Sequence, residues 1–167
     1  MRTKRFLLRS LQATDATTLF ATVYGDPVVM EHVAGGAHAS QSQTEAAITE
    51  YIDHEARNGF TFWGIEDRET SELLGDCGLY LLEGRGPEVE FGVTLRQRSW
   101  GMGVAAECGE ACIEHAFQHL GLHGLVAVAR AQNTGSTALL QSLGFEHEGS
   151  VDVYGGPHER YALGIDR

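Results

Sequence analysis

The feature that most constrains the fold of this chain is a glycine-containing loop, RQRSWGMG, at residues 96–103. The eight residues before it, 88–95, alternate strictly between two sets of side chains, which predicts a half-buried strand with Glu90 on its polar face. The residues after it, 103–120, carry apolar side chains at helical spacing. A loop that enters a helix in this way offers unpaired backbone N–H groups beside glycines, so the sequence predicts a phosphate-binding site here.

Two phosphate-binding patterns fit the loop. Gly101-x-Gly103-x-x-Ala106 matches the fingerprint of dinucleotide-binding folds, and Arg98-x-x-Gly101-x-Gly103 matches an acyl-coenzyme A pyrophosphate loop. The dinucleotide fingerprint belongs in the first β–α turn and is followed about 20 residues later by an acidic residue. Here about four predicted strands precede the glycines, and residues 129–132 contain no carboxylate. The acyl-coenzyme A pattern is therefore favoured.

The predicted elements follow the order β-α-α-β-β-β-α-β-α-β-β, a mixed α/β arrangement in a single domain over residues 1–167. The predicted strands are 4–11, 60–66, 72–82, 88–95, 122–130, 146–154 and 158–165. The predicted helices after the first are 42–57, 103–120 and 134–142. The first helix is expected to start after Thr14-Asp15, with Thr14 as its cap, and to run to about Tyr24. The last hairpin is expected to turn at Gly155-Gly156-Pro157.

The charge balance limits the partners. Twelve basic and 23 acidic residues give a net charge of −11, which argues against nucleic acid because phosphate neutralisation needs clustered Lys and Arg. An acidic surface suits an amine substrate, and it also serves simply to keep a protein in solution. No apolar run reaches the ~18 residues of a membrane span, and the N-terminus has no signal-peptide pattern. These absences predict no membrane association and a cytoplasmic location.

Cysteines and histidines suggest no disulfide and no metal site. The three cysteines are Cys77, Cys108 and Cys112, an odd number without a C-x-x-C pair, and the last two are expected to be small core residues. The histidines spaced four apart are His115, His119 and His123. Because His123 lies beyond Gly121, where the helix should end, a converging ligand set is not expected.

At the glycine loop the chain resembles the Gcn5-related N-acetyltransferases. The resemblance rests on EVEFGVTL at 88–95, RSWGMG at 98–103 and ARAQNTGSTALLQSLGF at 129–145. The segment YGDPVVMEHV at 24–33 is similar to the ribosomal-protein N-terminal acetyltransferase branch. The order of elements agrees over essentially the whole chain. The resemblance implies a mostly antiparallel seven-stranded sheet, splayed between its fourth and fifth strands and flanked by about four helices.

The resemblance also implies acetyl-CoA as the co-substrate, with no metal. Its pantetheine arm would lie in the splay and its pyrophosphate on the loop. The implied cofactor-binding residues are Val93, Thr94, Leu95, Arg96, Arg98, Gly101, Met102, Gly103, Val104 and Asn133. An ordinary helix cap is the alternative explanation of Asn133.

The implied reaction is direct acyl transfer to a neutral amine, which needs a base for the ammonium proton and an acid for the leaving thiolate. Many family members carry a tyrosine where this chain has Leu140, and some carry a glutamate where it has Val128. Glu90 is therefore the candidate base, with a solvated strand residue as the alternative interpretation. Ser136, expected near the sulfur, or a water molecule is the candidate acid.

These observations predict an N-acetyltransferase that acts as a monomer or homodimer. A protein N-terminal amine is the first candidate acceptor and a small-molecule amine the second. Two alternatives are a non-catalytic acyl-CoA-binding sensor or interaction module and a dinucleotide-dependent reductase.

Overall fold

The computed structural model describes residues 1–164 and contains one seven-stranded sheet. The strands are β1 (Phe6–Arg9), β2 (Phe62–Asp67), β3 (Leu73–Leu81), β4 (Val89–Leu95), β5 (Gly124–Ala129), β6 (Glu146–Val153) and β7 (Gly156–Gly164). The α-helices are α1 (Ala16–Leu19), α2 (Gln41–Asn58), α3 (Val104–Gln118) and α4 (Thr134–Ser142). Strand and helix boundaries from α2 onward agree with prediction to within two residues. The predicted end of the last strand, residue 165, lies outside the described residues.

The sheet has the order β1-β2-β3-β4-β5-β7-β6, and β4–β5 is its parallel pair. Strands β3 and β4 pair along their lengths, from Gly75–Leu95 to Leu81–Val89. Strands β4 and β5, in contrast, share a single residue pair, Glu90–Val126. Because this pair lies near the start of β4, the two strands separate toward their carboxyl ends. The predicted splay between the fourth and fifth strands is confirmed.

Helices cover both faces of the sheet. On one face α3 packs through Cys108, Cys112 and Ala116, all fully buried, as predicted for the two cysteines. The Cys112 sulfur lies 3.5 Å from that of Cys77 on β3, and both are free thiols. On the other face the first helical segment packs against α2, with Ile48 of α2 in its core. Within residues 1–164, no helix has the length and hydropathy needed to cross a bilayer.

The first helix starts after Thr14-Asp15 and the helical segment ends at Tyr24, as predicted, but its cap differs from prediction. A 3-10 turn at Ala13–Asp15 leads into α1, and a π-helical turn, Phe20–Tyr24, follows it. Thr14 lies inside the first turn, so its predicted role as the cap is wrong. Asp15 organises this turn instead: its carboxylate accepts the Gln12 N–H at 2.8 Å and pairs with Arg9 at 2.8 Å. Because Asp15 is held by Arg9 and Gln12, the helical turns begin at Ala13, one residue before the predicted cap Thr14.

The turn of the last hairpin also lies earlier than predicted. Val153 pairs with Gly156, so Tyr154 and Gly155 form a two-residue turn, and Pro157 belongs to β7. Both turn residues have positive φ, 51° for Tyr154 and 75° for Gly155. A two-residue turn with positive φ at both positions has a backbone twist that matches the right-handed twist of the flanking strands. A tyrosine in this conformation is uncommon and indicates a local constraint.

Candidate active site

The splay between β4 and β5 opens into a cavity of about 550 Å³, called the groove below. The groove is bounded by the end of β4, the loop 96–103, and the first turns of α3 and α4. The predicted site residues that line it are Val93, Thr94, Leu95, Gly101, Gly103, Val104, Asn133 and Ser136. The other predicted residues of the loop, Arg96, Arg98 and Met102, are not part of this lining.

The loop has the geometry of an anion site. Gly101 and Gly103 have φ of 71° and 74°, which side chains other than glycine rarely adopt. The backbone N–H of Glu107 donates to the Gly103 carbonyl at 3.1 Å, at the start of α3. The N–H groups of the first turn therefore precede the hydrogen-bonded helix, and the positive end of the helix dipole adds to them. Together these features fit the pyrophosphate of coenzyme A.

The two loop arginines are held differently. The Arg96 guanidinium donates to Glu72 at 2.8 Å and to the Ser99 hydroxyl at 3.2 Å. Arg96 therefore forms a structural ion pair with Glu72, and only 14% of its side chain is exposed to a ligand. Arg98, in contrast, is exposed. Of the two, Arg98 is the one available to a phosphate.

Arg5 is a contact of this loop that sequence reasoning missed. Its guanidinium donates to the Met102 carbonyl at 3.0 Å and to the Glu107 carboxylate at 2.7 Å. Although partial burial opposes it, hydrogen bonds from Thr3 and Arg5 lower the pKa of Glu107 to about 2. Arg5 therefore neutralises the one carboxylate in the first turn of α3. Because it precedes the loop by almost a hundred residues, no local pattern indicates this contact.

A second cavity of about 340 Å³ continues from the groove on the α1–α2 side of the sheet and is called the inner cavity below. The residues that line both are His32, Val33, Val93, Thr94, Asn133, Ser136 and Leu139. Aromatic rings form much of the inner wall: Tyr24, Tyr51, Phe62, Tyr80 and Tyr154. Two carboxylates, Asp76 and Glu90, also line this cavity, whereas no lysine or arginine of the described residues does.

Glu90 projects from β4 into the inner cavity. Its strand neighbours Val89 and Phe91 are buried on the opposite face, so the alternation predicted from the sequence is confirmed. Burial raises the pKa of Glu90 to about 7, against a hydrogen bond from the Tyr154 hydroxyl that lowers it. A carboxyl group with such a pKa exchanges its proton near neutral pH, as a general base must.

Tyr154 connects the two halves of the splayed sheet. It comes from the β6–β7 turn, and its hydroxyl donates to Glu90 on β4. The Tyr154 N–H donates to the Glu83 carboxylate at 3.0 Å, and its hydroxyl accepts the Glu83 N–H at 3.1 Å. These contacts account for the left-handed conformation of Tyr154. The sequence alone did not distinguish a pocket tyrosine from a core tyrosine at this position.

Asp76 is a second functional candidate that sequence reasoning missed. It projects from β3 and is 3% exposed, and its carboxylate accepts the Tyr24 hydroxyl at 2.5 Å. Burial raises the pKa of Asp76 to about 7, although the hydrogen bond from Tyr24 opposes the shift. An acidic residue within the otherwise buried strand β3 was the only available signal in the sequence.

Comparison with known proteins identifies the family. The family model described as the acetyltransferase (GNAT) domain matches residues 5–146. The chain belongs to the GNAT acetyltransferases. The family prediction is thus confirmed, and of the two phosphate patterns the acyl-CoA loop is the one that this family uses.

Relatives and solved structures agree with this assignment. YoaA of Bacillus subtilis strain 168, named an uncharacterized N-acetyltransferase, is 31% identical over 159 residues, covering 92% of this chain and 86% of YoaA. The structure of RimL, a ribosomal L7/L12 alpha-N-protein acetyltransferase in complex with coenzyme A, has a TM-score of 0.82 at 19% identity, over 98% of this chain and 96% of RimL. The spermidine N-acetyltransferase from Vibrio cholerae, in complex with CoA and spermine, has a TM-score of 0.78 at 18% identity, over 97% and 96%. The protein is an acyl-CoA-dependent acetyltransferase with the GNAT fold.

In this GNAT acetyltransferase, the polar residues of helix α4 that line the two cavities lie only at its start. The Asn133 side-chain oxygen accepts the Ser136 N–H at 3.1 Å, so Asn133 is the helix cap and also lines both cavities. Leu140 is buried in the core, and Val128 lines the inner cavity as an aliphatic group. The carboxylates of the inner cavity come from β3 and β4 instead, and the hydroxyl that is bonded to Glu90 comes from the β6–β7 turn.

The histidines spaced four apart line neither cavity. The rings of His115, in the last turn of α3, and of His119, directly after it, stack with centroids 5.1 Å apart. Within residues 1–164, no cluster of three or more His, Cys, Asp or Glu side chains is placed to hold a metal ion.

Proposed function

We propose that this enzyme transfers the acetyl group of acetyl-CoA to a primary amine, with Glu90 as the general base. The observation that carries the proposal is the half-buried Glu90–Tyr154 pair, in a cavity that is continuous with the groove. The groove would hold the cofactor and the inner cavity the amine. The pantetheine arm would run from the loop along β4 to Val93, which lines both, so the thioester would lie on the side of Val93 toward Glu90.

The proposed cofactor contacts use backbone groups more than side chains. The N–H groups of Gly101 to Val104 would bind the pyrophosphate, with Arg98 adding charge and Arg96 holding the loop through Glu72. Backbone groups of Val93, Thr94 and Leu95 would pair with the pantetheine arm, because β4 has lost its partner strand there. Asn133 and Met102 complete the proposed set, Asn133 through its side-chain amide and Met102 through its N–H.

The proposed chemistry begins with an ammonium ion in the inner cavity. Glu90 takes one proton, and the resulting amine attacks the thioester carbonyl carbon. A C–N bond forms and the C–S bond breaks, so that the electron pair leaves with the coenzyme A sulfur. The new amide nitrogen must still lose a second proton, and the thiolate must gain one. The Ser136 hydroxyl or a water molecule gives its proton to the thiolate and takes the nitrogen proton in return, and Glu90 afterwards releases its proton to solvent. A base with a pKa of about 7 combines a large ionised fraction at neutral pH with useful proton affinity.

Two acceptor classes are supported by different observations. A protein N-terminal amine is supported by the likeness to RimL and by the segment YGDPVVMEHV. A small-molecule amine is supported by the likeness to the Vibrio cholerae spermidine acetyltransferase and by the acidic inner cavity. Both acceptors use the same base and the same cofactor groove.

A calorimetric titration tests the cofactor half of the proposal. Wild-type protein should bind acetyl-CoA and not NADH. Gly101→Asp should lose acetyl-CoA binding, because the new carboxylate would meet the pyrophosphate. Gly121→Asp is the matched control: Gly121 has φ of 66°, close to the 71° of Gly101, and at both positions a Cβ would find open space. Equal loss in both variants, or binding of NADH alone, would contradict the proposal.

Thiol release with a panel of amines tests the catalytic half. Glu90→Gln should lower kcat at least about a hundredfold, the usual contribution of a general base. The exposed Glu110 on α3 provides the control Glu110→Gln, which should keep wild-type activity. Acetyl-CoA binding without turnover of any amine by the wild type would favour the non-catalytic sensor.

A further inference from the structure

Asp76 is a buried carboxylate without a positively charged partner among residues 1–164. Its hydrogen bond comes from the uncharged Tyr24 hydroxyl, at 2.5 Å. No lysine or arginine among residues 1–164 lines the inner cavity with it. A carboxylate taken out of water without a counter-charge is strongly disfavoured, so a cation from outside would find a prepared site here.

The histidines of the inner cavity do not supply that charge. The His38 ring packs on Tyr24 at 5.2 Å, its Nδ1 is hydrogen-bonded to the Thr44 hydroxyl, and burial lowers its pKa. His158 is buried, and its Nδ1 is hydrogen-bonded to the Gly156 carbonyl. The third histidine of the lining, His32, lies 3.9 Å from the Glu31 carboxylate. None of the three makes an ion pair with Asp76.

Asp76 and Glu90 are too far apart to bind one ammonium group together. Asp76 pairs with Thr94 across β3 and β4, and Glu90 lies four residues before Thr94 on the same face of β4. At about 3.4 Å per residue, the two backbone positions are roughly 14 Å apart. Glu90 is on the strand that borders the splay, whereas Asp76 is one strand further from it. The reacting amine therefore belongs with Glu90, and Asp76 has a different task.

The surface between the two carboxylates is aromatic. Gly78 and Gly92 pair with each other there, and the Phe62 ring covers the position where a Gly92 side chain would stand. The Phe62 and Tyr80 rings stack with centroids 5.6 Å apart, and Tyr51 packs edge-on against both. Such a surface suits a chain of methylene groups and leaves the amides of a peptide backbone with few partners. Aromatic faces also favour cations nearby.

We infer that the acceptor is a linear aliphatic amine with a second positive charge: its reacting amine lies at Glu90, its alkyl chain lies on the Phe62–Tyr80 surface, and its second ammonium pairs with Asp76. This inference rests on the proposed function and selects the small-molecule acceptor class within it. Asp76 binds the substrate in this arrangement and takes no part in proton transfer.

The test compares diamines with monoamines of the same chain length: 1,4-diaminobutane with butylamine, and 1,8-diaminooctane with octylamine. For at least one length, wild-type kcat/KM should be about tenfold or more higher for the diamine, as expected for one charge-assisted contact. Asp76→Asn should bring this ratio close to one by raising KM for the diamine. Tyr24→Phe, which removes the hydrogen bond and keeps the carboxylate, should retain the preference.

Each other outcome overturns the inference in a recognisable way. A ratio near one for the wild type, or an unchanged ratio in Asp76→Asn, removes the second cation site. Equal losses for both amines in Asp76→Asn and Tyr24→Phe, with a lowered Tm, would make the pair structural. Preference for a short peptide with a free N-terminus would assign the site to proteins. In all three cases amine turnover persists, whereas failure of the proposed function would abolish turnover altogether.

Discussion

Replacing Glu90 by glutamine should stabilise the protein, and more so as the pH rises. The folded state holds the pKa of Glu90 at about 7, compared with an ordinary value of 4.5. Between these two values the unfolded chain loses the proton while the folded protein keeps it, so folding stability falls as the pH increases. Each pKa unit corresponds to 1.36 kcal/mol, which gives about 3 kcal/mol for the whole shift.

The glutamine variant should escape this loss. Glutamine is uncharged and nearly the same size, and its side-chain oxygen can still accept the Tyr154 hydroxyl. Urea unfolding should give similar free energies of unfolding for the wild type and Glu90→Gln near pH 4.5. At pH 8 the variant should be more stable by about 3 kcal/mol. The shift of Asp76 is common to both proteins and cancels in the difference.

The control for this experiment is Glu110→Gln on the exposed face of α3, which should stay within about 0.5 kcal/mol of the wild type at every pH. A difference between Glu90→Gln and wild type that is flat, or that shrinks with pH, would refute the argument. Glu90 would then be ionised and solvated in the folded protein, as an ordinary strand glutamate is.

Three further outcomes are expected. Tyr154→Phe should move the acid limb of the pH–kcat/KM profile to higher pH, because the lost hydrogen bond had lowered the pKa of Glu90; an unmoved limb would show that another group titrates. Arg98→Ala should weaken acetyl-CoA binding in calorimetry several-fold, whereas Arg96→Ala should chiefly lower Tm by breaking its pair with Glu72; the reverse pattern would exchange their roles. The three cysteines, all buried and free, should resist a thiol reagent in the native protein and react in urea, and rapid native labelling would contradict their burial.

Local signals in the sequence were sufficient for much of the fold. Helix α2 ends at Asn58, one residue after its predicted end, and is followed by Gly59 with φ of 80°; α4 has its predicted bounds. The strict alternation of residues 88–95 correctly assigned Glu90 to the face opposite the core. The first helical segment was less predictable, because the pair between Arg9 and Asp15 competes with the cap preference of Thr14.

The side-chain pairs of the candidate site, which the sequence did not reveal, depend on long-range contacts. Tyr154 meets Glu90 across 64 residues, and Tyr24 meets Asp76 across 52. Neither pair has a spacing or motif that periodicity could reveal. The cofactor loop, in contrast, is contiguous in the chain, so its glycines and the helix that follows them predicted a phosphate-binding site from the sequence alone.

The single residue pair between β4 and β5 leaves two strand edges inside the sheet rather than at its border. An open edge presents N–H and C=O groups that an extended amide chain can satisfy, and the pantetheine arm is such a chain. The coenzyme would then complete the sheet as well as supply the acetyl group. A ligand present at a hundredfold excess over its Kd adds about 2.7 kcal/mol to the free energy of unfolding. The folding stability of this enzyme would therefore rise and fall with the concentration of acetyl-CoA.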